Sequence, residues 1–365
     1  MNHSAIWQAH CETGFLLQKP LHHLGDIASP LTSESIETLE SIAQNLPDYV
    51  VSDLANLPLY DFTTCRDNEA ILERLWLLYG YMANKFLHTQ TVKHLPEAIA
   101  KPLAQVSDWL DRPPIMSYIG MVLSNWRKHD VDAPFSPQNV DVLVRFTHLP
   151  DEAGFFRVHI AIEAQAGAIL QALWDAQTAI TMENNSGVLE ALRNLRTGLV
   201  TITSTFHEMP DFCDSDVYFH HVRPYLFGYD GVIFDGVSDS PRYLRGGSGA
   251  QSSVIPAVLG GMGLAHTQTQ LTSYLAEIRS YMPQAHRQTI DDLSVIPLRA
   301  YCAERPPLRD AYNHALRQLT TFRRAHLYYA RTYIFEKSMS TTGTGGTDYL
   351  SFLTQLIDET AEQRL

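Results

Sequence analysis

Along the chain, apolar positions fall into several helical periods and one nearly unbroken apolar run. The spacing predicts helices over Ser33–Asn45, Asn68–Leu87 and Ile115–Lys128, and a longer one over Val188–Glu208. The stretch Phe155–Trp174 has a different character. Phe155, Phe156, Val158, Ile160, Ala161, Ile162, Ala164, Ala166, Ala168, Ile169, Leu170 and Leu173 leave it little polar surface. A helix apolar nearly all round belongs in the middle of a domain. Strand signals are sparse, so the pattern predicts an all-α protein. Polar, proline-bearing segments at Ser136-Pro137-Gln138 and Leu149-Pro150-Asp151 predict a boundary, with residues 1–150 as a small helical domain and 151–365 as a larger one.

A second pattern brings in chemistry. Ala315, Leu319, Phe322, His326, Tyr329 and Tyr333 are spaced 4, 3, 4, 3, 4, a buried helical stripe with a histidine in its middle. Such a histidine is either a core residue hydrogen-bonded to a neighbour or an axial ligand, its neutral nitrogen bound to a heme iron within an apolar wall. His159 interrupts the apolar helix, and Glu163 follows one turn later on the same face. That pair reads as half of a carboxylate–histidine metal site or as hydrogen-bonding groups in a buried pocket. No second pair completes a di-iron motif, which favours the pocket.

Two glycine-rich segments punctuate the second half. In Gly246-Gly247-Ser248-Gly249-Ala250-Gln251-Ser252-Ser253, the Ser248-x-x-Gln251 spacing predicts a capping box and a helix starting at Ser248. Gly343-Thr344-Gly345-Gly346-Thr347-Asp348 precedes an amphipathic helix bearing Leu350, Leu353 and Ile357, and its three glycines predict a mobile lid.

Composition narrows the partners. Of the 365 residues, 45% are hydrophobic and only 18% charged, so much of the chain is interior. A net charge of −13 with no basic cluster argues against nucleic acid and anionic membranes. No run of about 18 apolar residues predicts a membrane span. The four cysteines, Cys11, Cys65, Cys213 and Cys302, form no metal-type pair or disulfide framework, and a cytoplasmic setting with reduced thiols is the expectation. In an acidic chain, a carboxylate substrate needs a specific arginine. Arg223, in His220-His221-Val222-Arg223-Pro224-Tyr225, is the candidate for a bidentate clamp. His22-His23 and His220-His221 are weak metal candidates, because sequence neighbours usually point apart. The nucleophile elbow fails at Ala250, Gly261-x-Gly263 is followed by His266 where a dinucleotide fingerprint wants glycine or alanine, and no phosphate-binding P-loop or H-E-x-x-H motif occurs.

Taken together and in order, six segments resemble the indoleamine 2,3-dioxygenase family. They are Ser117-Tyr118 with Leu123-Ser124-Asn125-Trp126-Arg127-Lys128; Gly154-Phe155-Phe156 with Glu163; Gly246-Gly247-Ser248 with Gln251-Ser252-Ser253; Met282-Pro283-Gln284-Ala285-His286-Arg287; His326-Leu327 with Tyr333-Ile334; and Gly343 to Asp348. The resemblance implies an all-α fold in which a small N-terminal domain caps a heme domain. It also implies insertion of O2 across the indole 2,3 bond of L-tryptophan or a related indole, giving an N-formylkynurenine-type product, with heme b ferrous in the active form.

By motif match, His326 looks like the proximal heme ligand and Arg323 like a propionate partner. Arg223 looks like the clamp on the substrate carboxylate, and Thr344 like the loop residue that closes on the ammonium. Ser248 and Gly249 match the stretch over the heme edge and oxygen site. Tyr118, Met121, Val122, Phe155, Tyr218 and Phe219 match the pocket around the indole. His159 stands where the family carries serine; related tryptophan 2,3-dioxygenases have a histidine in that distal role. Tyr218 replaces a phenylalanine and Leu259 an acidic residue. These departures leave two other readings open, an oxygenase for a modified tryptophan or other indole and a non-catalytic heme-binding protein. Oligomeric state is not readable from the sequence.

Overall fold

The computed structural model describes residues 10–267, 269–295, 298–339, 341, 343 and 348–365. Helix accounts for 64% of the chain and strands are few and short, so the fold is all-α. Helix α1 spans Ser33–Asn45, as the periodicity predicts, and Thr32 caps it by accepting from the Ser35 N–H. Helix α2 spans Glu69–Gln90, capped by Asn68, and is buried along almost its whole length. Helix α3, Glu97–Trp109, packs on it, and Trp76 Nε1 donates to Ser107 Oγ at 3.0 Å.

The apolar run forms helix α4, Pro150–Thr181, longer than its apolar stretch at both ends. Proline at its first turn loses no helical hydrogen bond. Helix α5, Asn185–His207, packs along α4, and Asn184 caps it. Then come α6, Val254–Met262; α7, Gln270–Arg279; α8, Gln284–Ser294; and α9, Leu298–Ala303. Helix α10, Pro306–Ala330, carries the histidine stripe and packs on α5. Helix α11, Tyr349–Glu362, packs on α10. Ala315, Leu319, Tyr329 and Tyr333 of the stripe are buried.

Among the described residues, strand is confined to five short pieces. The pair β1 (His94–Leu95) and β4 (Tyr229–Phe234) is parallel, and β4 is antiparallel to β5 (Ser238–Leu244). The pieces β2 (Arg127–Lys128) and β3 (Val140–Asp141) form a separate antiparallel pair.

Two local expectations are corrected. Residues 115–128 are not one helix: a single wide turn of π type spans Ile119–Leu123 and the chain then runs into β2. The backbone N–H and Oγ of Ser124 both reach Ile119 O, at 2.9 and 3.1 Å. The Asn125 side chain then bonds Tyr81 Oη and the backbone of Leu143 and Val144. Polar side chains that satisfy the backbone in this way compete with helix. The capping box at Ser248 does form, but it closes only a 3-10 turn, Gly249–Gln251, and helix resumes at Val254.

Residues on both sides of position 150 share hydrogen bonds. Asn84 Nδ2 donates to Tyr225 O at 2.8 Å, and Tyr229 Oη donates to Asn84 Oδ1 at 2.7 Å. No described helix is long and apolar enough to cross a membrane.

Candidate functional site

A cavity of about 290 Å³ opens between α4, α10, α6 and α11. Its walls are dominated by aromatic and aliphatic side chains, with few polar groups placed among them, the usual make-up of a small-molecule site. Of the residues singled out from sequence, Tyr118, Met121, Val122, Phe155, His159, Tyr218, Ser248, Gly249, Arg323 and His326 all line it.

Three wide π-type turns shape the cavity. Ile119–Leu123 supplies Met121 and Val122, Tyr218–Val222 supplies Tyr218, and Arg331–Phe335 supplies Tyr333 and Ile334. One extra residue in a helical turn re-aims the side chains beside it, and such turns are frequent at functional sites.

The glycine-rich segment is stitched to the first of these turns. Gln251 Oε1 accepts from the Tyr118 N–H at 2.9 Å, while Gln251 Nε2 donates to Gly246 O at 3.0 Å. Gly246 lies so close to the preceding loop that a Cβ there would meet Leu226 O at 2.2 Å. Gly249 is the opposite case, with nothing within 4 Å of a Cβ, so its backbone borders open space.

Aromatic rings run from one histidine to the other. Tyr218 stacks on Phe155 at 4.4 Å, Phe155 lies 4.5 Å from His159, and Phe206 touches both imidazoles, at 6.2 Å from His159 and 6.1 Å from His326. Phe206, at the end of α5, was missed in the sequence, where it looks like one more apolar position.

The two imidazoles differ in their partners. His159 Nδ1 lies 2.8 Å from Phe155 O. A carbonyl only accepts, so Nδ1 carries the proton and Nε2 is the acceptor nitrogen. Burial lowers its pKa, which keeps the ring neutral. Glu163 is not its partner: that carboxyl accepts from Tyr118 Oη at 2.9 Å and Ser252 Oγ at 2.5 Å, and burial pushes it up to about 7. Among the described residues, no group of three His, Cys, Asp or Glu side chains is arranged to hold a metal ion.

His326 makes no hydrogen bond to any described residue. Its pKa falls to about 4, chiefly by burial and further through His159 and Arg323. The reading of His326 as a hydrogen-bonded core residue therefore lacks its partner. One turn back, Arg323 Nη2 contacts His266 Nε2 at 3.2 Å, and His266 Nδ1 pairs with Glu359 Oε2 at 2.6 Å. His266, noted in the sequence only for spoiling a dinucleotide motif, lines the cavity beside Arg323.

Arg223 and Phe219 are not on the wall. Arg223 is buried behind it, over the rings of Phe219 at 5.3 Å and Phe227 at 4.7 Å, and interacts electrostatically with the lining residues Tyr218 and Tyr349. Gly343 lines the cavity, and Thr344 lies outside the described residues. Phe352, Leu353 and Leu356 of α11 complete the wall; the sequence stripe caught Leu353 and placed Ile357, which is buried, beside it.

Fold and site define an all-α protein with an apolar cavity faced by two neutral imidazoles. The sequence model of the family described as indoleamine 2,3-dioxygenase matches residues 4–342, and the chain belongs to that family, whose name denotes dioxygenases, hence oxidoreductases. It is 30% identical to indoleamine 2,3-dioxygenase 1 of Rattus norvegicus over 389 residues, covering 97% of this chain and 94% of that protein. It is 30% identical to an indoleamine 2,3-dioxygenase of Aspergillus nanangensis over 347 residues, 84% of each. It is also 27% identical over 384 residues to a protein of Haliotis diversicolor named myoglobin, covering 97% of this chain and 96% of that one.

Proposed function

We propose that this protein is a heme-dependent dioxygenase that inserts O2 into the indole 2,3 bond of L-tryptophan or a related indole. The observation that carries the reading is His326: a neutral imidazole with no hydrogen bond among the described residues, facing an apolar cavity across Phe206 from a second neutral imidazole.

The residues present fit a heme. An unprotonated imidazole nitrogen is the required axial donor. Ile255, Pro256, Leu259, Phe322, Leu353 and Leu356 supply apolar surface for a macrocycle. Arg323, its pKa lowered to about 10 by burial, is still cationic at neutral pH and suits a propionate carboxylate. Ser248 and Gly249 are assigned to the heme edge. When bound, the iron supplies the binding and activation of O2, which side chains alone do not provide.

The chain's own work is positioning. Tyr118, Met121, Val122, Phe155 and Tyr218 hold the indole, and His159 Nε2 accepts its N–H. Arg223 is assigned to the substrate carboxylate, with Phe219 packed against the guanidinium. Thr344 is assigned to the ammonium. Tyr118, Met121 and Val122 belong to residues 1–150, assigned to the small domain, and reach the cavity of the larger one, residues 151–365.

The test is an absorption spectrum of the purified ferrous protein under O2, with and without L-tryptophan, followed by product mass. Heme bands, an oxygen-dependent change on adding tryptophan, and a product heavier by both oxygen atoms are the expected results. The relative named myoglobin motivates one other reading, a heme protein that binds O2 without turnover. Oxygen binding with every indole left unreacted would establish that reading and overturn the dioxygenase.

A further inference from the structure

A second cavity, about 320 Å³, lies away from the first and is lined by charge. On its wall are Arg74 from α2, Arg127 from β2, Arg145 from the segment after β3, Asp141, and the imidazoles of His22 and His148. Two of the three guanidinium groups have counter-ions. Arg74 holds Glu40 through Nε at 3.0 Å and Nη2 at 2.5 Å, and Arg127 Nη2 reaches Asp141 Oδ2 at 3.3 Å. Two donors are left over. Arg145 forms no ion pair or hydrogen bond among the described residues. Arg74, 5% exposed, has a buried Nη1 with no hydrogen-bond partner.

The neighbouring acids are otherwise engaged. Glu40 also accepts the Leu24 N–H at 2.7 Å. Glu152, the acid that feels Arg145, has its carboxylate filled by the N–H groups of Phe146 and Thr147 and the Thr147 hydroxyl, each at 2.7 Å. Asp48 is taken by His148 Nε2 at 2.7 Å. Burial disfavours the protonated form of His22, and Arg127 and Arg74 add to this against the opposing pull of Asp26, while His23 Nδ1 accepts the Gly25 N–H. A cation is therefore unwelcome in this cavity, and the histidine pair is no metal site.

A buried guanidinium donor without an acceptor is costly, and an oxyanion is its natural complement. We propose that this cavity is a binding site for a small, multiply charged oxyanion, a phosphate or polycarboxylate, gripped by Arg145, Arg74 and Arg127. Its location in a chain of net charge −13 sharpens the point. The field of the whole molecule repels anions, so uptake of one requires a local site.

Isothermal titration of the full chain in chloride buffer of constant ionic strength tests this, with inorganic phosphate and citrate as separate probes. Saturable binding of either probe is expected, and the stronger one identifies the chemistry recognised. Arg145→Glu and Arg127→Ser should each weaken that binding at least ~10-fold, the loss of one charged hydrogen bond. Arg193→Ser, on the exposed side of α5, should leave it unchanged. Arg74 is left intact, because its removal strands the Glu40 charge. No saturable binding of either probe overturns the site, as does binding undiminished in both cavity variants.

Discussion

Two cavities of nearly equal size, about 290 and 320 Å³, separate by lining alone. In the first, burial in an apolar wall pushes the imidazoles of His159 and His326 to their neutral forms, and it pushes up Glu163, which bonds the wall residues Tyr118 and Ser252; Arg323 alone of these keeps its charge. In the second, arginines remain charged because a guanidinium cannot be neutralised in a protein. Volume therefore says little about the occupant. The first cavity offers unprotonated nitrogens and apolar surface, suited to a metal macrocycle and an indole. The second offers fixed donors, suited to an anion.

The sharpest way to break this contrast is to remove the imidazole that gives the first cavity its assigned chemistry. His326→Ala should abolish stable heme binding, read as loss of the heme absorption bands from protein purified with heme supplied. Anion binding at the arginine cavity should persist in that variant. Wild-type heme content and spectrum would show that His326 is not the ligand.

How much of this contrast the sequence carried depends on the kind of signal. Helices α1 and α5 were legible because amphipathic spacing and a side-chain cap agree at each. The stripe on α10 was legible from its spacing alone, since no side chain caps that helix, and it presented His326 at once. The hairpin of β4 and β5 was not, because Gly231 in one strand and Pro241 in the other interrupt the alternation that marks strands. The turn at Ile119–Leu123 was misread as helix because its apolar residues keep a helical appearance, while its geometry is set by Ser124 and by Asn125 reaching to Tyr81 and to the segment after β3. The arginine cavity was invisible, since Arg74, Arg127 and Arg145 come from three separate elements and each looks like a surface charge alone. Arg223 was found by motif match, but only the coordinates show it off the cavity wall, over the rings of Phe219 and Phe227.

Glu163 gives a second test of the apolar wall. Its carboxyl is fully buried and pushed up to about 7 from an ordinary value near 4.5. Between those values the folded chain holds a proton that the unfolded chain has released. This contribution to stability is therefore fully present below about pH 4.5 and is lost as pH rises through about 7. The span corresponds to on the order of 3 kcal/mol. The buried histidines act in the opposite sense, costing stability as pH falls below about 6.5. A comparison with Glu163→Gln isolates the acid, because glutamine keeps an oxygen to accept from Tyr118 and Ser252. The variant should gain stability relative to wild type as pH rises from about 4.5 to 7, measured as the difference between their denaturant unfolding curves. Parallel stability profiles would mean that Glu163 is ionised in the fold and that the wall is more polar than its lining indicates.

The smallest effect expected concerns selectivity. His159 donates through Nδ1 to Phe155 O, which leaves Nε2 as an acceptor on the cavity side of a helix with few other polar groups. An indole N–H is the natural complement, since an unpaired buried acceptor carries a desolvation cost. A substrate methylated at that nitrogen has neither the donor nor room for the added methyl, so 1-methyltryptophan should be a very poor substrate. His159→Ser shortens the side chain and removes the fixed acceptor, and it should relax the discrimination. Activity on tryptophan itself should fall only modestly, because His159 is assigned to positioning. The quantity to measure is kcat/KM for tryptophan over that for 1-methyltryptophan, in wild type and variant. An unchanged ratio would place the indole nitrogen away from His159. Complete loss of turnover with intact heme content would instead give the imidazole a part in proton transfer, a role its neutral, acceptor-out state permits.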